Sequence, residues 1–333
     1  MNKDFWKNKA SEGKICFLAP MDGYGDSPYR QTMKKVAPHI MCISEFYSAD
    51  GLIHSKFLAQ SVLPHSDIEK PLIVQIFWKD PEKFAQAAKI IEWFGVAGID
   101  INMWCPAKKV VRSGHGSCLF INQDTAFRIV ESLAQATNLP ISVKTRLSFD
   151  GNQNLIDFAK WLENAGANMI TIHGRTAKQM YTGKADFTNI YELKKHLSIP
   201  VIGNGDILNY DDGMQKVQNL DGFMIGRCSF WNPWCFLPGG YVPTLEEVLD
   251  IMYFHATKLV ECKWERKWCL EIRKHLVQYL KNFPWVKVYR KRLVTSNTLQ
   301  EIEQILQEIR LEFREFLDKR PALWELTIPQ IIE

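Results

Sequence analysis

Eight short apolar runs alternate with amphipathic, helix-forming segments over the first 225 residues, and this alternation constrains the fold more than any other feature. We predict these runs to be strands, at residues 15–18, 40–43, 72–77, 99–102, 141–144, 169–173, 200–204 and 222–225. Polar residues follow the carboxyl end of each run, as they do where parallel strands deliver side chains to one working face. The pattern predicts an α/β chain that forms a (β/α)8 TIM barrel rather than an open sheet.

The strand pattern ends after Arg227. A stretch rich in proline and glycine at 232–240 precedes helix-period segments at 244–280 and 299–317. We therefore predict two domains, a TIM-barrel domain at 1–242 and a small C-terminal helical domain at 243–333.

The basic charge of the chain is concentrated in the helical domain. The formal net charge is only +4, but residues 263–292 contain ten lysines and arginines against two glutamates, which leaves −4 for the rest of the chain. A cluster of this kind is typical of a surface that faces phosphates. The alternative is an ordinary solvated helix face.

The cysteine pattern and the absence of long apolar runs indicate a cytoplasmic protein. None of the eight cysteines forms a C-x-x-C pair, which disfavours a disulfide framework or a zinc ribbon. The segment MNKDFWKNK is too polar for a signal peptide, and no apolar run approaches the ~20 residues of a membrane span. We expect a monomer that binds neither a membrane nor a metal.

The stretch GIDINMWCPAKKV at 98–110 contains the first candidate catalytic group. Cys105 follows the predicted fourth strand and precedes Pro106 and two lysines. A thiol with a pKa of about 8.5 is mostly protonated at neutral pH and can act as a general acid. The alternative is a buried structural cysteine, which is the more common kind.

Cations and glycines follow the later strands. Lys144 ends the fifth strand, where it is either a solvent-facing cap or a fixed cation that stabilises developing negative charge. His173 ends the sixth strand, and GNGD at 203–206 and Gly226-Arg227 end the last two. Because the last two loops of many barrels bind phosphate, this pair predicts a phosphorylated cofactor or substrate. The sequence contains neither G-x-G-x-x-G nor G-x-x-x-x-G-K-[ST], so no Rossmann or P-loop nucleotide site is indicated.

These blocks, taken in order, resemble the tRNA-dihydrouridine synthases, and the bacterial B-type branch most. The resemblance is carried by LAPMDGYGDSPYR, PLIVQIF, GIDINMWCPAKKV, GSCLF, VKTRL, ITIHGRT followed by Gln179 and Tyr181, VIGNGD, and GFMIGR. EIRKHLVQYLKNFP resembles the C-terminal tRNA-binding domain of that family. The resemblance implies an FMN-dependent enzyme that uses NADPH to reduce the uracil C5–C6 bond of uridines in the tRNA D-loop.

The resemblance also implies roles for individual residues. Cys105 would protonate C5 while C6 receives the hydride. The cofactor-binding residues would be Pro20, Met21, Asp22, Gln75, Lys144, His173, Asn204, Gly205, Asp206, Gly226 and Arg227. The candidate tRNA contacts are Asn102, Lys109, Arg146, Arg175, Lys178, Arg273, Lys274, Arg290 and Lys291. The charged residues among them are chosen by their charge and position.

Four tryptophans stand where the family pattern has glycine, at Trp78, Trp104, Trp231 and Trp285. GGA and UGA differ by one base, so an organism that reads UGA as glycine would give this pattern if its gene were translated with UGA as tryptophan. The alternative is true aromatic substitution. Taken literally, Trp104 could tilt the neighbouring Cys105 thiol or fill the substrate pocket.

Two other functions are compatible with parts of the sequence. One is an FMN-dependent reductase or dehydrogenase of a free pyrimidine, but a free base needs no basic helical domain. The other is a non-catalytic tRNA-binding barrel, but the presence of Cys105, Lys144 and the phosphate-type loops argues against it.

Overall fold

The computed structural model describes residues 4–103, 116–262 and 265–321. Eight strands are arranged in sequence order, each parallel to the next, and the eighth pairs with the first to close the barrel. They are β1 (Ile15–Leu18), β2 (Met41–Ser48), β3 (Leu72–Phe77), β4 (Gly98–Asn102), β5 (Ile141–Arg146), β6 (Met169–His173), β7 (Val201–Asn204) and β8 (Gly222–Ile225). The predicted (β/α)8 barrel is confirmed.

Among the described residues, nine helices precede the C-terminal region. They are α1 (Phe5–Glu12), α2 (Ser27–Val36), α3 (Ala49–His54), α4 (Lys56–Val62), α5 (Pro81–Trp93), α6 (Gln123–Ala136), α7 (Leu155–Ala165), α8 (Thr188–Lys194) and α9 (Tyr210–Val217). Local chemistry fixes several of their ends. Asp80 caps α5 by accepting from the backbone N–H of Glu82, and Gly166 ends α7 in the left-handed conformation that glycine adopts at low cost.

The lower part of the barrel is filled by apolar side chains that come mainly from the amino-terminal halves of the strands. Phe17, Ile43, Ile73 and Ile202 are among them and are fully buried. Trp6 on α1, a helix that the sequence pattern did not predict, joins this cluster with its ring 5.7 Å from that of Phe17. The apolar filling leaves the carboxyl ends of the strands for polar side chains.

Strand β2 is longer than predicted and irregular. Its pairing with β3 shifts register between Ile43 and Phe46, and the Ser44 hydroxyl accepts the backbone N–H of Gln75 at 3.0 Å. An irregularity of this kind re-aims the side chains that follow it. Here the following residue is Glu45, which reaches the loop after β1.

The C-terminal region is helical and has its own apolar cluster. Its helices are α10 (Leu245–Cys262), α11 (Glu265–Tyr279), α12 (Lys287–Thr295) and α13 (Leu299–Glu312). Leu249, Leu276 and Leu306 belong to this cluster, and Trp234 joins it from the preceding stretch. Helix α10 packs on α2 of the barrel. The division at residue 242 stays a prediction.

Within the described ranges, no helix is both long enough and apolar enough to cross a membrane. The same residues contain no group of three histidine, cysteine or acidic side chains placed to hold a metal.

Candidate active site

Lys144 and Asn204 lie at the centre of the polar face formed by the strand ends. Strand pairing sets Asn102 beside Lys144 and His173 beside Asn204. The Lys144 Nζ donates to Asn204 Oδ1 at 3.0 Å, and Asn204 Nδ2 donates to the Met224 carbonyl at 2.9 Å. Lys144 is only 2% exposed. The ammonium is therefore held rigidly and is partly stripped of water, as an electrostatic catalyst requires.

His173 lies among four cations. Its pKa is well below the ordinary range, first because burial disfavours the charged ring and then because Lys144, Arg146, Arg175 and Arg227 repel a further positive charge. The imidazole is therefore neutral at physiological pH. A buried group of cations around a neutral ring suits an anionic ligand, such as a phosphate or an electron-rich ring.

A second polar chain links β3, β4 and β5 across the barrel. Asn102 Nδ2 donates to Gln75 Oε1 at 2.9 Å, and Gln75 Nε2 donates to Asp100 Oδ2 at 2.6 Å. The Ser142 hydroxyl donates to the other Asp100 oxygen at 2.5 Å. Burial raises the pKa of Asp100 to about 6, while these hydrogen bonds and the charge of Lys144 oppose the rise.

The loops after β6 and β7 are tied together by Asp206. Its carboxylate accepts from Arg175 and from the backbone N–H of Ala185, the latter at 2.8 Å. Gly205 has φ +119°, and a Cβ there would lie 2.7 Å from the Ala185 Cβ, so only glycine fits. Asp206, a predicted cofactor residue, uses its carboxylate to hold this loop.

The loop after β8 leaves open space beside Gly226. A Cβ on Gly226 would meet one atom within 4 Å among the described residues, the Ala19 Cβ at 3.6 Å. The Arg227 guanidinium lies 4.6 Å from the centre of the Tyr181 ring, and Arg146 approaches the same ring at 5.9 Å. An aromatic ring that two guanidiniums approach helps to hold both in place through cation–π attraction.

The loop between β1 and α2 contains three predicted cofactor residues, of which Pro20 is buried, Met21 half-buried and Asp22 exposed. Gly23 anchors this loop on two sides. Its N–H donates to Glu45 Oε1 at 2.6 Å, and its carbonyl accepts from the Lys274 Nζ on α11 at 3.2 Å. The helical region therefore contacts the loop directly.

The predicted tRNA contacts differ in their surroundings. The four arginines use their guanidiniums for hydrogen bonds with the protein: Arg146 to the Thr176 and Met180 carbonyls, Arg175 to Asp206 and the Thr182 and Gly183 carbonyls, Arg273 to Ser296 and Asn297, and Arg290 to the Leu280 and Lys281 carbonyls. Lys178, Lys274 and Lys291 are exposed, although Lys178 donates to Asp150 and Lys274 to Gly23. Asn102 is buried, and Cys105, Lys109 and Trp104 lie outside the described residues.

Three other tryptophans stand where the family pattern has glycine. Trp231 among them has φ +58°, in the left-handed region. Its Nε1 donates to His275 Nδ1 at 3.0 Å. Trp78 is half-buried beside Phe77, and Trp285 is 37% exposed.

The sequence did not predict Asp100, Glu45 or Ser142 as site residues. Asp100 lies two residues before Asn102 and so shares its face of the strand, which is the one local signal that could have identified it. The importance of Glu45 depends on the irregular strand, which the sequence pattern does not predict.

Fold and site together define a (β/α)8 barrel protein with a cationic, amide-lined site at the carboxyl ends of its strands. The family model described as "Dihydrouridine synthase (Dus)" matches residues 17–315. The chain belongs to the dihydrouridine synthase family and is an oxidoreductase.

Curated relatives agree with this assignment over nearly their whole length. The chain is 35% identical over 326 residues to a probable tRNA-dihydrouridine synthase 1 of Synechocystis. That alignment covers 92% of this chain and 91% of the relative. It is 32% identical over 310 residues to tRNA-dihydrouridine synthase B of Pseudomonas aeruginosa. That alignment covers 90% of this chain and 92% of the relative.

A solved structure of 2-naphthoyl-CoA reductase with 2-naphthoyl-CoA superposes with a TM-score of 0.53 at 10% identity, over 66% of this chain and 49% of the other. At this identity the likeness concerns the fold alone.

Proposed function

We propose that the protein reduces the C5–C6 double bond of uridines in the tRNA D-loop, with FMN as its bound cofactor and NADPH as the reductant. The observation that carries the proposal is the buried Lys144–Asn204 pair beside neutral His173, at the strand ends of a barrel of this family. The proposed setting is the cytoplasm, and the proposed active form is a monomer.

The residues of the site fit a flavin phosphate. Four cations lie around His173, Asp206 pairs with two of them, Arg175 and Arg227, and the space beside Gly226 would admit a ligand. Gln75, Lys144 and His173 would hold the ring, with Pro20 and Met21 against it. Asn204, Gly205, Gly226 and Arg227 would hold the ribityl chain and phosphate. A flavin bound there, once reduced, supplies the hydride.

Each group of the chain has a defined task in this proposal. Lys144 stabilises negative charge at the N1/O2 edge of the ring, because its ammonium is buried and fixed. Cys105, as the resemblance implies, protonates C5 of the uracil. The target base must leave the folded RNA to reach the barrel mouth, since a stacked base is inaccessible.

The exposed lysines bind the RNA backbone. Lys178 lies on the loop after β6, and Lys274 and Lys291 lie on the helical region. Lys274 contacts the β1–α2 loop, so the basic segment lies next to the proposed cofactor site. A reductase of free pyrimidines would not need this arrangement, because phosphate contacts serve a polyanionic substrate.

The first experiment is the visible absorbance spectrum of the purified, desalted protein, before and after addition of FMN. A flavin spectrum supports the cofactor assignment, and a colourless protein that takes up no FMN overturns it. The holoprotein is then supplied with NADPH or NADH and unmodified tRNA, and dihydrouridine is measured by mass spectrometry of the digested RNA.

Lys144→Met tests the role of the ammonium group, because it removes the charge and retains much of the side-chain volume. We expect dihydrouridine with wild type and at least ~100-fold less with the variant, the size of effect seen when one electrostatic contact is removed. Reduction of free uracil but not of tRNA would favour the free-pyrimidine alternative. Binding of tRNA without reduction would favour the non-catalytic one.

A further inference from the structure

A fully buried carboxylate, Asp100, lies at one end of the hydrogen-bond chain that reaches the proposed flavin and uracil residues. Strand pairing brings it opposite Gln75 on one side and Ser142 on the other. Its two oxygens accept from both, at 2.6 Å and 2.5 Å. Asp100 lies two residues before Asn102 on the same face of β4 and so contacts the site through other residues.

The charge of Asp100 sets the direction of each hydrogen bond in the chain. An ionised carboxylate can only accept, so Gln75 must turn its NH2 group towards Asp100 and its Oε1 towards Asn102. Asn102 must then donate through Nδ2, at 2.9 Å. A terminal amide with no such partner rotates between its two orientations, which differ only by exchange of nitrogen and oxygen.

We propose that Asp100 is a positioning residue that fixes the amide orientation of Gln75, and through it that of Asn102, for binding of the flavin and the uracil. This inference rests on the proposed function. Without the carboxylate, the Gln75 amide would populate both orientations, and the ligand would have to select one of them. Ligand affinity is then reduced in proportion to the fraction of protein whose Gln75 amide has the binding orientation. It is reduced further by the free-energy cost of any hydrogen bond left unmade.

Two substitutions at Asp100 separate orientation from simple filling of space. Asp100→Asn can accept from Gln75 through Oδ1 or, with its own amide rotated, donate to it, so both Gln75 orientations stay hydrogen-bonded and only the preference between them is lost. Asp100→Leu has similar size but no acceptor, so it also leaves the Gln75 NH2 group without this partner. We expect FMN affinity about twofold weaker than wild type for the first variant and about tenfold or more weaker for the second.

A double-mutant cycle tests whether Asp100 acts through Gln75. In the Gln75→Leu background there is no amide to orient, so Asp100→Leu should weaken FMN binding less than twofold further. Additive effects in the cycle would show that Asp100 acts independently of Gln75 and would overturn the proposal.

A second test exchanges the hydrogen-bond donor and acceptor between positions 75 and 100. It remains informative even if Asp100→Leu does not fold. Gln75→Glu places two carboxylates together, which repel unless they share a proton, so FMN binding should weaken as pH rises from 6 to 8. Adding Asp100→Asn supplies the missing donor and should restore binding at pH 8. Failure of this rescue would contradict the proposal.

A spectroscopic measurement on the apoprotein reports whether the Gln75 amide is held by its hydrogen bond. In protein labelled with ¹⁵N-glutamine, the Gln75 side-chain amide should show slow hydrogen exchange in wild type and Asp100→Asn and fast exchange in folded Asp100→Leu. Unchanged exchange in Asp100→Leu overturns the proposal whatever the cofactor. If wild type binds no FMN, the proposed function fails, and the assignment of Asp100 to flavin binding fails with it.

Discussion

The Arg175 guanidinium forms two hydrogen bonds with the Asp206 carboxylate, Nη1–Oδ1 at 3.0 Å and Nη2–Oδ2 at 2.5 Å. The Arg175 side chain is 3% exposed, and it also donates to the carbonyls of Thr182 and Gly183. The pair therefore joins the ends of β6 and β7 and holds the loop that precedes α8. Both residues support the site from within the protein.

Asp206→Ala should destabilise the fold because it leaves the Arg175 charge buried without its partner. We expect the free energy of unfolding in urea to fall by about 3 kcal/mol. Lys178→Ala is the control, since Lys178 pairs with Asp150 at 3.3 Å but is exposed, and such pairs contribute less than about 1 kcal/mol. Equal losses in the two variants would contradict the supporting role of Arg175.

Glu45 should make stability depend on pH. Burial, with the nearby charges of Asp26 and Asp22, raises its pKa from 4.5 to about 7, while the Gly23 N–H and Arg30 oppose the rise. Because the folded protein favours the protonated form, the stabilisation is complete below pH 4.5 and is lost as pH rises through 7.

Glu45→Gln removes this titration and retains an acceptor for the Gly23 N–H. The melting temperature of the variant relative to wild type should therefore increase between pH 5.5 and pH 8.5, by an amount equivalent to at most about 2 kcal/mol. Glu131→Gln, on the exposed face of α6, provides the surface control. A difference that stays constant with pH would show that Glu45 does not titrate in this range.

Local sequence patterns predicted the strands of the barrel closely. They predicted poorly the hydrogen bonds and buried charges at its centre. Strands β1, β3, β6 and β8 begin and end at the predicted residues, because each is an apolar run bounded by polar or turn-forming residues. The contacts of Asp100 join residues 25 and 42 positions away, and only the pairing of β4 with β3 and with β5 brings them together. Likewise, the sequence shows that Arg146 is charged but cannot show that its guanidinium is buried.

Trp231 should tolerate glycine better than alanine. At φ +58° a side chain with a Cβ is strained by about 1 kcal/mol, and glycine is not. Both variants lose the indole and its hydrogen bond to His275, so they differ mainly in this strain. In urea unfolding we expect Trp231→Gly to be more stable than Trp231→Ala by about 1 kcal/mol, and the opposite order would contradict the left-handed conformation.

The same residue bears on the codon hypothesis. The left-handed backbone favours glycine at 231, whereas the Nε1–His275 hydrogen bond at 3.0 Å favours a true tryptophan. If UGA encodes glycine, the gene has UGA codons at 78, 104, 231 and 285, and mass spectrometry of peptides from the native protein gives glycine there. UGG codons at these positions would exclude the hypothesis.

Lys274 should affect both RNA and flavin binding, unlike Lys291. Its ammonium contacts the Gly23 carbonyl and lies 4.4 Å from the centre of the Tyr24 ring, so it steadies the loop that contains Pro20 and Met21. If each lysine contacts one phosphate, Lys274→Met and Lys291→Met each reduce the slope of log affinity for tRNA against log salt concentration by about 1. In FMN titrations without RNA, only Lys274→Met should weaken binding, by a few-fold. Equal FMN affinities in the two variants would mean that Lys274 does not steady the cofactor loop, and an unchanged salt slope would mean that it contacts no phosphate.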